Sequence, residues 1–420
     1  GVRLEFVGAG GEVLVSEHRR SVSLSWWDGV PVGVGWGQPG MIVLSTVVWA
    51  GGSGFYQLGV AGVGGLRVVV DGRVVIDGIT PVPGDPVEAM TRPGELRAGV
   101  WLGAGAGTVV RVEFRPAAGG AGPLSVRLGL VVAAEDEVLL AEAEAVAAAA
   151  DAAVVVVGSA ELTESEGFDR DTLALPGRQD ELVSRVAAVN RATVVVVNAG
   201  MPVLMPWAGQ VAAIIYAWLP GQAFGGALAD VLSGVAEPGG RLPVTLPAAE
   251  ADCPVGRAVP SGSGVLDYGE GLLIGYRGYD KTGRTPRYPF GHGLGYTTWA
   301  YEGIQGPSTV AEGAGLEVVV AIRNTGRRAG KEVVQAYLAE PAQHTGPGRP
   351  VRVLAAFTTI HAAPGQLAQA RLRIPARAFA RYNQDLARWI WPGGQYTLHI
   401  GRSSRDLPLT THITSGTAGG

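Results

Sequence analysis

Five ionisable side chains fall within ten residues of this chain: Glu161, Glu164, Glu166, Asp169 and Arg170, in the stretch A-E-L-T-E-S-E-G-F-D-R at 160–170. Clustered carboxyl groups are candidates for proton transfer. A positioned carboxyl can donate a proton and take one back, and burial or a like charge nearby keeps it protonated near neutral pH. Glu164 and Glu166 would share one side of an extended segment, roughly 6–7 Å apart along it. A flexible loop gives no reason for that distance to hold, so the two are not read as a working pair. Arg170 can fork onto a loop carboxylate, and with Asp169 it reads as a loop-shaping residue. The same composition also suits a solvated acidic loop in front of a helix.

The elements around this stretch decide what it could serve. Residues 152–157 form a continuous apolar run ended by Gly158, the pattern of a strand buried on both faces. The acidic stretch then lies at that strand's carboxyl end, where ligands bind in open α/β sheets. A helix is expected over 179–189, with Leu182, Val186 and Val189 on one face. A second strand over 193–197 ends at Asn198-Ala199-Gly200, and a helix or loop runs through Trp207. A third strand follows at 212–216, and Trp218-Leu219-Pro220-Gly221-Gln222 opens a helix reaching about Leu232. Upstream, residues 135–150 are strong helix formers with acidic residues at the amino end, where they suit the dipole. Strand and helix in alternation predict parallel pairing with right-handed crossovers.

Residues 164–247 resemble the second half of the α/β sandwich domain of family 3 glycoside hydrolases, specifically β-glucosidases. The matching pieces are E-S-E-G-F-D-R, L-A-L-P-G-R-Q, N-A-G-M-P-V-L-M-P-W (198–207), W-L-P-G-Q (218–222) and G-G-R-L-P-V-T-L-P (239–247), in the family's order. The resemblance implies that Glu166, the glutamate before the loop glycine, is the general acid/base. It implies substrate-binding or loop-shaping roles for Glu164, Phe168, Asp169 and Arg170.

The flanks read as all-β. Before residue 132, apolar runs at 41–50, 65–76, 108–114 and 124–132 alternate with Gly and Pro clusters. In L-R-V-V-V-D-G-R-V-V-I-D-G (66–78), Asp71-Gly72 is the pair a two-residue type I′ hairpin demands. With G-F-Y-Q-L-G-V (54–60), this region resembles the PA14 domain inserted in some family 3 β-glucosidases; a generic β-sandwich has the same pattern. The glycines of 103–107 precede a strand pattern rather than a helix, which excludes a dinucleotide loop. Residues 268–280 and 288–297 resemble the family's connector. His292, between Gly291 and Gly293, is expected in a tight turn bonded to backbone rather than in catalysis. From Tyr301, strands around Asn324-Thr325-Gly326 and W-P-G-G-Q-Y-T-L-H-I-G (391–401) resemble a fibronectin type III-like domain, with Trp389 and Trp391 expected to pack.

The expected fold class is therefore multidomain, α/β plus all-β. It comprises a PA14-like β-sandwich (1–131), part of a three-layer α/β sandwich with a parallel sheet (132–255) and a connector (256–300). A fibronectin type III-like β-sandwich (301–412) and a tail (413–420) follow.

Composition narrows the alternatives. The 420 residues carry a formal net charge of −4, which offers no basic footprint for nucleic acid. No apolar run reaches the roughly 18 residues that span a bilayer. The single cysteine, Cys253, excludes an internal disulfide framework and reads as a filler. The six histidines show no metal-ligand spacing, no cofactor is expected, and no G-x-S-x-G elbow is present. Lys281 and Lys331 are the only lysines, a bias that suggests a GC-rich, bacterial coding sequence.

A retaining glycosidase needs a nucleophile about 5–5.5 Å from the acid/base. In the resembled family it is an aspartate of a preceding (β/α)₈ barrel, which takes about 250 residues, and no such eightfold pattern occurs here. The chain, which opens at Gly1 in a strand pattern, is expected to be the later part of a longer enzyme and inactive alone. Its expected partners are a β-glucoside or oligosaccharide substrate and the missing barrel; a homodimer and the localisation stay open. Two alternatives stand beside this one: a non-catalytic carbohydrate-binding array, and a β-xylosidase or other exo-glycosidase of the same family.

Overall fold

The computed structural model describes residues 1–26, 31, 34, 40–84, 89, 92–117, 124–160, 163–166, 169–256 and 259–416. Two compact units are present: Gly1–Ala150 with Ser159–Arg170, and Asp151–Gly158 with Asp171–Gly420.

The first unit is built on β1 (Val2–Val7), β2 (Val13–Arg19), β3 (Ser23–Trp26), β4 (Met41–Trp49), β5 (Gly54–Gly62), β6 (Gly64–Val70), β7 (Arg73–Ile79), β8 (Glu95–Leu102), β9 (Gly107–Pro116) and β10 (Leu124–Val132). They form two sheets, in the orders β2-β1-β4-β9-β6-β7 and β3-β10-β5-β8. Alternating side chains such as Leu4, Phe6, Leu44, Leu66, Val112 and Phe114 turn inward to one core. The β6–β7 hairpin turns on Asp71 (φ 46°) and Gly72 (φ 81°), the double positive φ its sequence predicts. Residues 103–107 lead into β9, a strand, as expected. The helix α1 (Asp136–Ala148) follows, with Asp136 and Glu137 in its first turn.

The second unit holds a sheet of β11 (Ala153–Gly158), β12 (Thr193–Asn198) and β13 (Ala213–Tyr216), all parallel, in the order the periodicity predicts. The helix α2 (Gln179–Val189) packs on β11 and β12, burying Val183, Val186 and Ala187. The 199–212 segment contains no helix, and α3 (Phe224–Leu232) starts two residues beyond Gln222. Left-handed Trp218 (φ 58°) and Gly221 (φ 71°) hold the chain out of helical geometry until then. The strand β11 departs from expectation. Val155 and Val157 are buried, but Val154 (48%) and Val156 (52%) are exposed, because this edge strand is covered on one face only.

After α4 (Tyr276–Thr282) come β14 (Trp299–Gln305), β15 (Thr309–Val310), β16 (Leu316–Asn324), β17 (Gly330–Ala339), β18 (Val353–Ala362), β19 (Leu367–Ile374), β20 (Arg381–Asn383), β21 (Arg388–Ile390), β22 (Gly394–Gly401) and β23 (Leu409–Ser415). Sheets β14-β16-β19 and β15-β23-β22-β17-β18 enclose a core that includes Val320, Ile322, Leu338, Leu372, Tyr396 and Ile400. Trp391 packs against the core and donates to Ala376 O at 3.2 Å, whereas Trp389, at 38% exposure, stays at the surface under the guanidinium of Arg377. No helix among the described residues is long and apolar enough to cross a membrane.

Candidate active site

The strand β11 ends at Gly158, which pairs with Asn198 of β12. A Cβ there would lie 2.0 Å from the backbone oxygen of Asn198 on β12, so no larger residue fits without moving a strand. On its other side stands the amide of Gln179, the first residue of α2. Gly158 N–H donates to Gln179 Oε1 at 2.7 Å, and Gln179 Nε2 donates to Gly158 O at 2.9 Å. Nε2 also donates to Pro176 O at 3.0 Å. The returning leg is held further out, where Leu204 N–H donates to Leu173 O at 2.9 Å and the Glu250 carboxylate accepts from Leu173 N–H and Thr172 Oγ1. Below these, fully buried Trp207 donates its indole N–H to Asp180 at 2.7 Å, tying N-A-G-M-P-V-L-M-P-W to α2.

The loop itself opens with a tight turn. Thr163 and Glu164 N–H groups donate to Ala160 O at 2.8 and 2.9 Å, and Thr163 Oγ1 accepts from Ala160 N–H at 3.0 Å. This turn leaves Glu164 half-buried and Glu166 exposed; Asp169 is exposed and Arg170 half-buried. Phe168, Glu161 and Gly167 lie outside the described residues. An exposed carboxyl such as that of Glu166 can transfer a proton to a group brought against it. No group of three or more His, Cys, Asp or Glu side chains that could hold a metal occurs among the described residues.

Two features of this platform were legible only as motif letters. Gln179 ends L-A-L-P-G-R-Q, but its role depends on meeting Gly158, 21 positions earlier. Arg241, in G-G-R-L-P, donates to Glu332 of β17 at 2.8 Å, with both side chains buried. Burial pushes the Glu332 carboxyl above its usual range, against the opposing pull of Arg241 and the Val333 N–H. His292 sits in the expected turn, its N–H on Pro289 O at 3.1 Å and its own carbonyl accepting from Leu242 N–H at 2.8 Å. Its ring stacks on Tyr288 at 5.2 Å, and burial, then Arg241, pushes its pKa down.

A parallel sheet with an acidic loop past one strand end, followed by a β-sandwich, is an arrangement with known counterparts. The model of the glycosyl hydrolase family 3 C-terminal domain matches residues 57–296, and that of the fibronectin type III-like domain matches 332–404. The chain belongs to the glycosyl hydrolase family 3 C-terminal domain family. Among curated relatives, the thermostable β-glucosidase B of Acetivibrio thermocellus is 40% identical over 279 residues, covering 66% of this chain and 37% of that protein. A β-glucosidase of Rhizobium radiobacter is 36% identical over 370 residues, covering 86% of this chain and 45% of that protein. A solved β-glucosidase of Kluyveromyces marxianus in complex with glucose superimposes with a TM-score of 0.86 at 28% identity, over 99% of this chain and 50% of that one. The chain spans less than half the length of these curated relatives.

Proposed function

We propose that this chain is the C-terminal part of a retaining β-glucosidase that hydrolyses terminal β-D-glucosyl residues, with Glu166 as its general acid/base. One observation carries the reading: the carboxylate-bearing loop springs from the carboxyl end of β11 on stems held by Gln179 and Glu250. The β-glucosidase relatives support the substrate class. The nucleophile is an aspartate of a (β/α)₈ barrel outside these 420 residues. Exposed Val154 and Val156 support a sandwich completed from elsewhere in a longer protein. The first sandwich is then a PA14-like insert in that α/β domain, with the domain limits expected from the sequence. The coverage of the Kluyveromyces marxianus enzyme across 99% of this chain supports that arrangement.

In the first step Glu166 protonates the glycosidic oxygen while the aspartate attacks the anomeric carbon, releasing the alcohol. In the second, Glu166 takes a proton from water, which displaces the aspartate and frees the sugar. Burial keeps a carboxylic acid protonated near neutral pH, so the barrel and bound sugar must cover exposed Glu166 for the reaction. Glu164, Phe168, Asp169 and Arg170 shape the loop or touch substrate.

The test compares Glu166→Gly with Glu164→Gly and Asp169→Ala in the complete enzyme. Loss of the acid should reduce kcat/KM for an alkyl glucoside by about 10²–10⁴-fold and largely spare a dinitrophenyl glucoside, whose leaving group needs little protonation. Azide should restore turnover of Glu166→Gly alone and give a β-glucosyl azide. Rescue of Glu164→Gly instead would move the assignment, and rescue of neither would end it. The 420-residue chain alone should hydrolyse no aryl β-glucoside above background.

A further inference from the structure

We infer that the cavity beside β13 seats an apolar helix from the part of the protein outside these 420 residues. The inference rests on the reading of this chain as part of a longer enzyme, and not on the assignment of Glu166. The cavity has a volume of about 540 Å³ and lies wholly within the second compact unit. It is lined by buried Met205 and Leu246 and by half-buried Tyr216, Trp218, Val231 and Tyr288. The strand β12, one position further into the sheet, buries Val195, Val196 and Val197 and so is covered on both faces. The edge strand β13 buries none of its four residues. The helix α3 reads F-G-G-A-L-A-D-V-L, with Asp230 its single charge, and it too buries none. A helix that is hydrophobic nearly all round belongs in a protein interior. This edge of the sheet is therefore built to be covered.

The lining selects the kind of cover. A small-molecule site needs a few polar groups turned toward the ligand. Here Tyr216 Oη donates to Met201 O at 2.6 Å and Tyr296 Oη to Val231 O at 2.5 Å. Arg241 donates to Glu332 at 2.8 Å and to Gly240 O at 3.0 Å. These polar groups serve the protein itself and leave an apolar wall. Such a wall offers nothing to bare backbone, so the segment laid on it has to satisfy its own N–H and C=O groups, as a helix does. Helices are also what cover the faces of parallel sheets. Arg241, which lines the cavity, keeps its buried Nε–H without a partner among the described residues. One acceptor oxygen on the seated segment would satisfy it. The chain covers 37% and 45% of its two β-glucosidase relatives. A protein of their length has more than half its residues outside this chain from which to supply the helix.

The experiment places single cysteines in the cavity wall, Ala213→Cys and Val231→Cys, each with Cys253→Ser. Each is made in the 420-residue chain and in the complete enzyme. Maleimide labelling of the new cysteine is followed by peptide mass spectrometry, with each protein unfolded in urea as its own reference. Labelling should be about tenfold or more slower in the complete enzyme, because reaction there needs a local opening. Hydrogen exchange of the α3 amides, read without any substitution, should slow in the same way. Equal labelling and equal exchange in the two proteins would overturn the inference, since the cavity would then stand open in the finished molecule. Failure of the reading beneath it looks different: a mature protein of 420 residues by mass would end both, whereas equal labelling in a longer protein would end this inference alone.

Discussion

Replacing Arg241 by Met should expose how the last sandwich is joined to the G-G-R-L-P segment. Arg241 is 9% and Glu332 2% exposed at the side chain, and their 2.8 Å contact joins G-G-R-L-P to β17. The Met variant keeps much of the volume but leaves a buried carboxylate without its cation. Breaking a buried pair this way costs about 3–5 kcal/mol. With a urea dependence of about 1.5 kcal/mol per M, the unfolding midpoint should fall by about 2–3 M. Hydrogen exchange of β17 amides across a urea titration reads the domain that contains Glu332. The pH dependence gives a sharper criterion. Glu332 has a folded pKa raised by burial, so its contribution is present in acid and lost as pH rises through the folded value. Removing Arg241, which opposes that rise, moves the folded value higher still. The penalty should therefore be larger above the variant's folded value than below it, shrinking as acid lets Glu332 take up a proton. Adding Glu332→Leu should recover most of the loss, since a hydrophobic replacement of a buried pair is often neutral or stabilising. A penalty equal on both sides of that value, or a double variant as unstable as the single one, would refute the reasoning.

Two further outcomes follow from the same geometry. Gly158→Ala sets a methyl 2.0 Å from Asn198 O, so it should cost about 1–3 kcal/mol by overpacking. An unchanged denaturation midpoint would refute that clash. In the complete enzyme His292→Phe should keep glucoside hydrolysis, because a phenyl ring can keep the stack on Tyr288. The depressed pKa of His292 contributes stability above the ordinary imidazole range that is lost as pH falls through the folded value. Acid unfolding midpoints should therefore be less pH-sensitive in the variant, and loss of activity without loss of fold would return His292 to the chemistry.

Local pattern made several features of this molecule readable in advance. The apolar runs of β11, β12 and β13 with helical sequence between them specify parallel neighbours, since a parallel partner requires a crossover. Asp71-Gly72 specifies its own turn, because that conformation needs two positive φ values in a row. The carboxylates of 160–170 stand out as candidates for acid/base chemistry by residue type and by following a strand in the chain. These are statements about neighbours in the chain, and neighbours are what a sequence records.

Other features depend on distant segments meeting. Whether both faces of β11 are covered is set by what packs on it, so an apolar run could not tell that Val154 and Val156 stay exposed. The partner of Arg241 lies 91 positions away on β17, and nothing in G-G-R-L-P names it. Gln179 has the composition of any helix-starting residue until the fold sets its amide against Gly158 and Pro176. The amino-acid sequence alone thus determined which groups are candidates for chemistry and which strand they follow in the chain. The tertiary structure decided which remote residues meet, because hydrogen bonds and burial between them exist only once the chain has closed on itself.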